Sequence, residues 1–133
     1  MAKTNKPTDY GILTEPPEPP DYLSEGARAC WPRIAGAAVA LGTLAGCDER
    51  ALALCCEALS QEAVLRDVLN REGYTIQSGT GEGSKAHPAC RLLAETRTQS
   101  AALLAAYGLT PKSRQMMRKL APGELPAWQM KRS

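Results

Sequence analysis

The stretch His87 to Gly108, HPACRLLAETRTQSAALLAAYG, decides the fold class. Within it Ala89, Leu92, Leu93, Thr96, Ser100, Leu103, Leu104 and Tyr107 recur every three or four residues. That spacing puts them on one side of a helix with 3.6 residues per turn. Pro88 suits the first turn, where a backbone amide has no partner to lose, and Gly108 can take the left-handed conformation that ends a helix. The spacing therefore predicts a helix from Pro88 to about Tyr107.

The same logic works backwards along the chain. Ser24 is an N-cap for a helix over Glu25 to Leu41, with Trp31, Ile34, Ala38 and Leu41 on one face and Gly42 as the stop. Pro32 conflicts with this, because it removes the bond to the Arg28 carbonyl, a loss of about 3 kcal/mol in a helix interior. Asp48 is expected to cap a second helix to about Arg71, with Leu52, Cys55, Cys56, Leu59 and Ala63 facing a core and Gly73 just beyond the end. The connector GTLAGCD is short, so the first two helices are expected as an antiparallel pair. Between Tyr74 and His87 the helical pattern stops: YTIQ reads as a short extended segment and SGTGEGSK as a flexible glycine-rich loop. Thr110 and Pro111 open a shorter basic helix to about Leu120.

Composition agrees with a mainly α class. Phe is absent, and the apolar content is carried by Ala and Leu rather than by the β-branched and aromatic residues that fill strands. At 133 residues the chain fits one domain. It divides into a flexible Pro-rich arm over 1–22, a helical core over 23–120 and a flexible tail over 121–133. A folded core of about 100 residues buries modest apolar area, so association between copies is expected to contribute. The PPEPP segment reads as a stiff lead-in rather than a polyproline ligand. No apolar run approaches the roughly 20 residues needed to span a bilayer, and MAKTNKPTDYG has no signal-peptide core, so the expected location is cytoplasmic. Five cysteines without CxxC spacing read as reduced core thiols.

Charge is divided unevenly. Residues 1–84 hold 7 Lys+Arg against 12 Asp+Glu, a net −5, whereas residues 85–133 hold 9 against 2, a net +7. A positive C-terminal part suits a phosphate backbone. The residues expected to meet phosphates are Lys112, Arg114, Arg118, Lys119, Lys131 and Arg132, with Lys85, Arg28 and Arg33 as lesser candidates.

Other chemistries fail on detail. In the glycine loop Ser84 separates Gly83 from Lys85 and Ala86 follows, so the adjacent Gly-Lys-Ser/Thr of a phosphate loop is missing. His87 and Cys90 have the spacing of two zinc ligands but no second pair to complete four. His87 is the one histidine, and Glu57, Glu62 and Asp67 read as the solvated face of the second helix, so no nucleophile and base are paired. No cofactor is implied. In the tail, Leu125, Trp128 and Met130 are apolar groups beside basic ones, a composition suited to docking on a partner.

The order of these pieces resembles the terminase small subunit family of tailed phages. It is carried by Pro20 with Leu23-Ser24, Trp31, Leu41-Gly42 with Leu44, Asp48, Cys56-Glu57, Glu72-Gly73, the glycine loop, His87-Pro88, and Gly108-Leu109-Thr110-Pro111 with Ser113-Arg114. The resemblance implies a non-enzymatic, homo-oligomeric ring in the host cytoplasm. Such a ring recognises the packaging start on double-stranded phage DNA and regulates a large subunit carrying ATPase and nuclease. The rival reading is a helix-turn-helix transcription regulator, for which the first two helices look too long.

Overall fold

The computed structural model describes residues 11–79, 81 and 83–119, for Lys119 the backbone alone. Four α-helices follow one another: α1 (Glu25–Leu41), α2 (Glu49–Glu72), α3 (Pro88–Ala106) and α4 (Pro111–Lys119). A 3-10 turn over Gly46–Asp48 precedes α2, and the strands β1 (Thr75–Gln77) and β2 (Ser84–Ala86) lie between α2 and α3.

α1 starts where Ser24 Oγ accepts from the Ala27 amide at 3.2 Å, and it stops at Gly42, whose φ of 72° is the left-handed value that favours glycine. The helix runs through Pro32 as one element. Pro32 and Arg28 are both exposed, so the carbonyl that loses its partner faces water rather than the core.

α2 starts where expected, with Asp48 at the N-cap position and Glu49 in the first turn, but without the expected capping bond. The Asp48 side chain makes no capping bond to α2; instead its Oδ2 accepts from the Ala45 amide at 3.0 Å and closes the 3-10 turn that precedes the helix. β1 and β2 form an antiparallel hairpin with Ile76 opposite Lys85, so the segment read as a wholly flexible loop supplies a strand at Ser84–Ala86. His87 donates its amide to the Tyr74 carbonyl at 2.9 Å and carries the pairing to the base of α3. There its ring Nδ1 accepts from the Ala89 amide at 3.0 Å. Thr110 and Ser113 cap α4 reciprocally, each side chain accepting from the other's amide.

α1, α2 and α3 run antiparallel in succession. The start of α1 meets the middle of α2, where a Cβ on Gly26 would run into Ser60 Oγ, so glycine permits this close approach. The Ser24 amide and hydroxyl donate to Glu57 at 2.7 and 2.9 Å across the same contact. The end of α3 meets the start of α2, where the Tyr107 hydroxyl donates to the Asp48 carbonyl at 3.3 Å.

The main core holds Leu23, Trp31, Ala35, Ala38, Leu44, Leu52, Cys56 and Tyr107. A second, smaller one holds Leu69, Ala89 and Leu93. Thr96 and Ser100, buried on α3, donate their hydroxyls to carbonyls four residues back, which satisfies them within the helix.

The segment before α1 is part of the packing from residue 11 onward. Leu13 and Pro20 are buried, the Leu13 amide donates to the Leu44 carbonyl at 2.8 Å, and Trp31 Nε1 donates to the Pro17 carbonyl at 2.8 Å. Proline offers no amide here but its carbonyl remains an acceptor, which suits it to strap an indole in place. Residues 1–10 and the tail over 121–133 lie outside the described residues.

Candidate nucleic-acid interface

The cations sort into two groups by what their side chains already do. Arg66 and Arg97 both meet Glu62, at 3.4 and 3.2 Å, and Arg91 meets Glu95 at 3.1 Å. Arg71 Nε donates to the Asp67 carbonyl at 3.4 Å, and Arg50 lies 5.3 Å from the centre of the Tyr22 ring. These are engaged within the protein. Arg33, Lys85, Lys112, Arg114 and Arg118 are exposed and pair with none of the described carboxylates.

Three of this second group sit on α4. Arg114 and Arg118 are one turn apart and flank a hollow of about 470 Å³ between α4 and Leu41 at the end of α1. Arg114 Nη1 also donates to the Gly108 carbonyl at 3.4 Å, which holds that guanidinium near the start of its own helix. Lys112 lies on the opposite flank, one turn before Met116. α4 is fixed by Gly108, where φ is 75° and an added Cβ would meet the Met117 sulfur. The single Thr43 Oγ1 proton is shared between the Tyr107 carbonyl at 2.8 Å and the Ala38 carbonyl at 3.2 Å, so the root of α4 is tied to the end of α1.

The expected contacts therefore do not form one cluster. Arg33 lies on α1 two turns before Leu41, about 12 Å along that helix. Lys85 lies on the hairpin at the other end of α3, a helix of 19 residues and so about 28 Å long. Arg28, though exposed, is already engaged: its Nη2 donates to the carbonyls of Pro20 at 3.1 Å and Asp21 at 3.3 Å. Lys131 and Arg132, with the apolar Leu125, Trp128 and Met130, lie outside the described residues, as does the Lys119 side chain.

Groups weighed for other chemistry have structural occupations. Beyond its bond to Ala89, His87 places Nε2 3.4 Å from Glu72, and Cys90 Sγ donates to the Tyr74 carbonyl at 3.5 Å, so the two candidate zinc ligands are engaged separately. In the glycine loop the Gly81 amide donates to the Ser78 carbonyl at 3.0 Å, closing the turn rather than facing an anion. Burial pushes the Cys55 thiol up to about 11 and the Cys56 thiol up to about 12, with Cys30 nearby adding to both, which suppresses the thiolate.

Glu57 and Glu62, expected on a solvated face, instead anchor Ser24 and bridge two arginines. Sequence reasoning missed these two because their partners Ser24 and Arg97 are 33 and 35 positions away. Periodicity within one helix carries no signal for such pairs.

A family model described as "Phage terminase, small subunit" matches residues 27–124. A search of curated proteins and a search of solved structures return no match.

Proposed function

We propose that this chain, which belongs to the phage terminase small subunit family, binds double-stranded phage DNA at the packaging start site. It does so as a homo-oligomeric ring in the host cytoplasm and regulates the large subunit that carries ATPase and nuclease. The observation that carries this reading is the family match, which covers nearly all of α1 and all of α2, α3 and α4.

The charge arrangement supports the DNA-binding part. Arg114 and Arg118 stand exposed on one flank of α4 without carboxylate partners among the described residues, so they can release counterions from phosphates at little internal cost, and Lys112 adds positive charge from the opposite flank. Arg33 on α1 and Lys85 on the hairpin contribute as separate contacts. Arg28 contributes by holding the strap. Lys119, Lys131 and Arg132 complete the basic set, and Leu125, Trp128 and Met130 dock on the large subunit.

The part is regulatory rather than catalytic. The buried thiols are held protonated, and the carboxylates Glu57 and Glu62 are committed to packing. Among the described residues no helix is long and apolar enough to cross a membrane.

Titrating DNA carrying the packaging start into the full chain at several salt concentrations tests the reading. Reversing Arg114 and Arg118 to Glu is expected to weaken binding and to flatten the salt dependence by about 0.9 for each phosphate no longer neutralised. Unchanged affinity and slope would exclude α4 from the interface. Trp128→Ala keeps every charge and is expected to lower stimulation of the large subunit's ATPase; full stimulation would move docking elsewhere.

A further inference from the structure

Along the seam of α2 and α3 lie two adjoining hollows of about 520 and 500 Å³. Leu54 and Leu103 wall the first, Val64 and Leu92 the second, and Glu57 and Gln61 belong to both, so the two form one continuous trough. Leu54, Val64 and Leu92 are 55, 59 and 52% exposed, although each stands beside a packed helix pair. Apolar side chains gathered in a concave strip mark a surface that another element covers.

The trough has one charge. Glu57 is half-buried, accepts two hydrogen bonds from Ser24, and pairs with no cation among the described residues. The complement is a short helix with an apolar side chain and a cation one turn away, and α4 has that form. Met116 is 57% exposed, and Lys112 lies one turn before it, on the flank opposite Arg114 and Arg118. The nine residues of α4 span about 14 Å, and the trough from Leu54 to Val64 along α2 spans about 15 Å. Within one chain α4 is turned the other way, against Leu41 and Gly108.

We infer that the Met116 and Lys112 flank of α4 docks into the α2–α3 trough of a second copy of this chain, with Lys112 facing Glu57. The inference rests on the oligomeric reading above and specifies its contact. Trough and α4 are different surfaces, so the junction is head-to-tail and can repeat around a ring. It leaves the Arg114 and Arg118 flank free for phosphate.

The test uses the full chain with Val64→Asp, which spoils the trough, and Met116→Asp, which spoils α4. Mass photometry is run on the wild type, on each variant and on an equimolar mixture, one variant carrying a mass tag. Each variant alone is expected to lose its large species, while the mixture gives a heterodimer and nothing larger, because one intact trough meets one intact α4. Wild-type assembly by either variant alone, or a mixture without heterodimer, overturns the junction and leaves the ring reading standing. A wild type that stays monomeric at every concentration overturns both. Should Val64→Asp fail to fold, Leu54→Lys at the other end of the trough asks the same question, with the same outcomes deciding.

Discussion

From Glu49 to about Ser60, α2 is covered by α1 as well as by the end of α3, and this part seals Trp31, Leu44, Leu52, Cys55 and Cys56 almost completely from solvent. From Gln61 onward α1 has ended, and α2 and α3 continue as a two-helix spur whose buried apolar set is Leu69, Ala89 and Leu93. The four ion pairs found among the described residues, Arg66–Glu62, Arg97–Glu62, His87–Glu72 and Arg91–Glu95, all lie on this spur. Two helices cannot enclose a core between them, so charge pairs and partly open apolar groups do what a third helix does at the covered end. One end is stabilised by removing area from water, the other mainly by local pairing worth little per contact.

The largest expected difference comes from Trp31→Ala. It removes the biggest sealed side chain and its bond to Pro17, and a loss of about 3 to 5 kcal/mol is expected in urea denaturation. A loss below about 1 kcal/mol would break the comparison. Leu69→Ala should cost less, near the lower end of the roughly 2 to 5 kcal/mol for buried leucines, because Leu65 and Val68 beside it are partly open and can close the gap. If it equals Trp31→Ala, the spur is packed as tightly as the covered end.

Alkaline pH probes the covered end alone. The Cys55 and Cys56 thiols have folded values raised above their ordinary 9, so the unfolded chain loses these protons first. Their contribution is complete below pH 9 and is lost as pH rises from there through about 11 and 12. Denaturation midpoints on the two sides of pH 9 should diverge, and Cys55→Ala with Cys56→Ala should reduce the divergence, leaving at higher pH the part carried by the Tyr107 hydroxyl, which burial pushes well above its ordinary 10. Smallest is Arg97→Ala on the spur, expected to cost about 0 to 1 kcal/mol and to cost less in high salt. A larger, salt-independent penalty would mean that Glu62 organises the spur more strongly than exposed pairs normally do.

Helix ends are legible in the sequence because their signals are local. Ser24, Gly42, Gly73, Pro88 and Thr110-Pro111 each act within a few residues through capping, φ or a missing donor. Asp48 marks the start of α2 correctly, but a capping residue can serve either of two adjoining turns with its side chain, and only the fold selects which. The strand at Ser84–Ala86 is hidden by small residues without alternation, and it forms by pairing with Thr75–Gln77. At the candidate interface the basic character of α4 is visible as composition. Neither the diversion of Arg28 to the Pro20 and Asp21 carbonyls nor the helix-length separation of Lys85 from α4 can be read without knowing which segments meet.

The tie between Thr43 and the Tyr107 carbonyl, together with the Gly108 turn, bears on how α4 engages a partner. A helix whose root is bolted to two others has already lost most of its orientational freedom during folding. On the proposed reading, meeting a polyanion would then order only the tips of its arginine and lysine side chains, at about 0.5 to 1.5 kcal/mol of lost freedom apiece, with little further backbone to arrange. The encounter resembles a key already cut, and its rate should follow diffusion and field strength. A Thr43→Val exchange removes the bolt while keeping the volume similar, so it should slow association with DNA more than it speeds release.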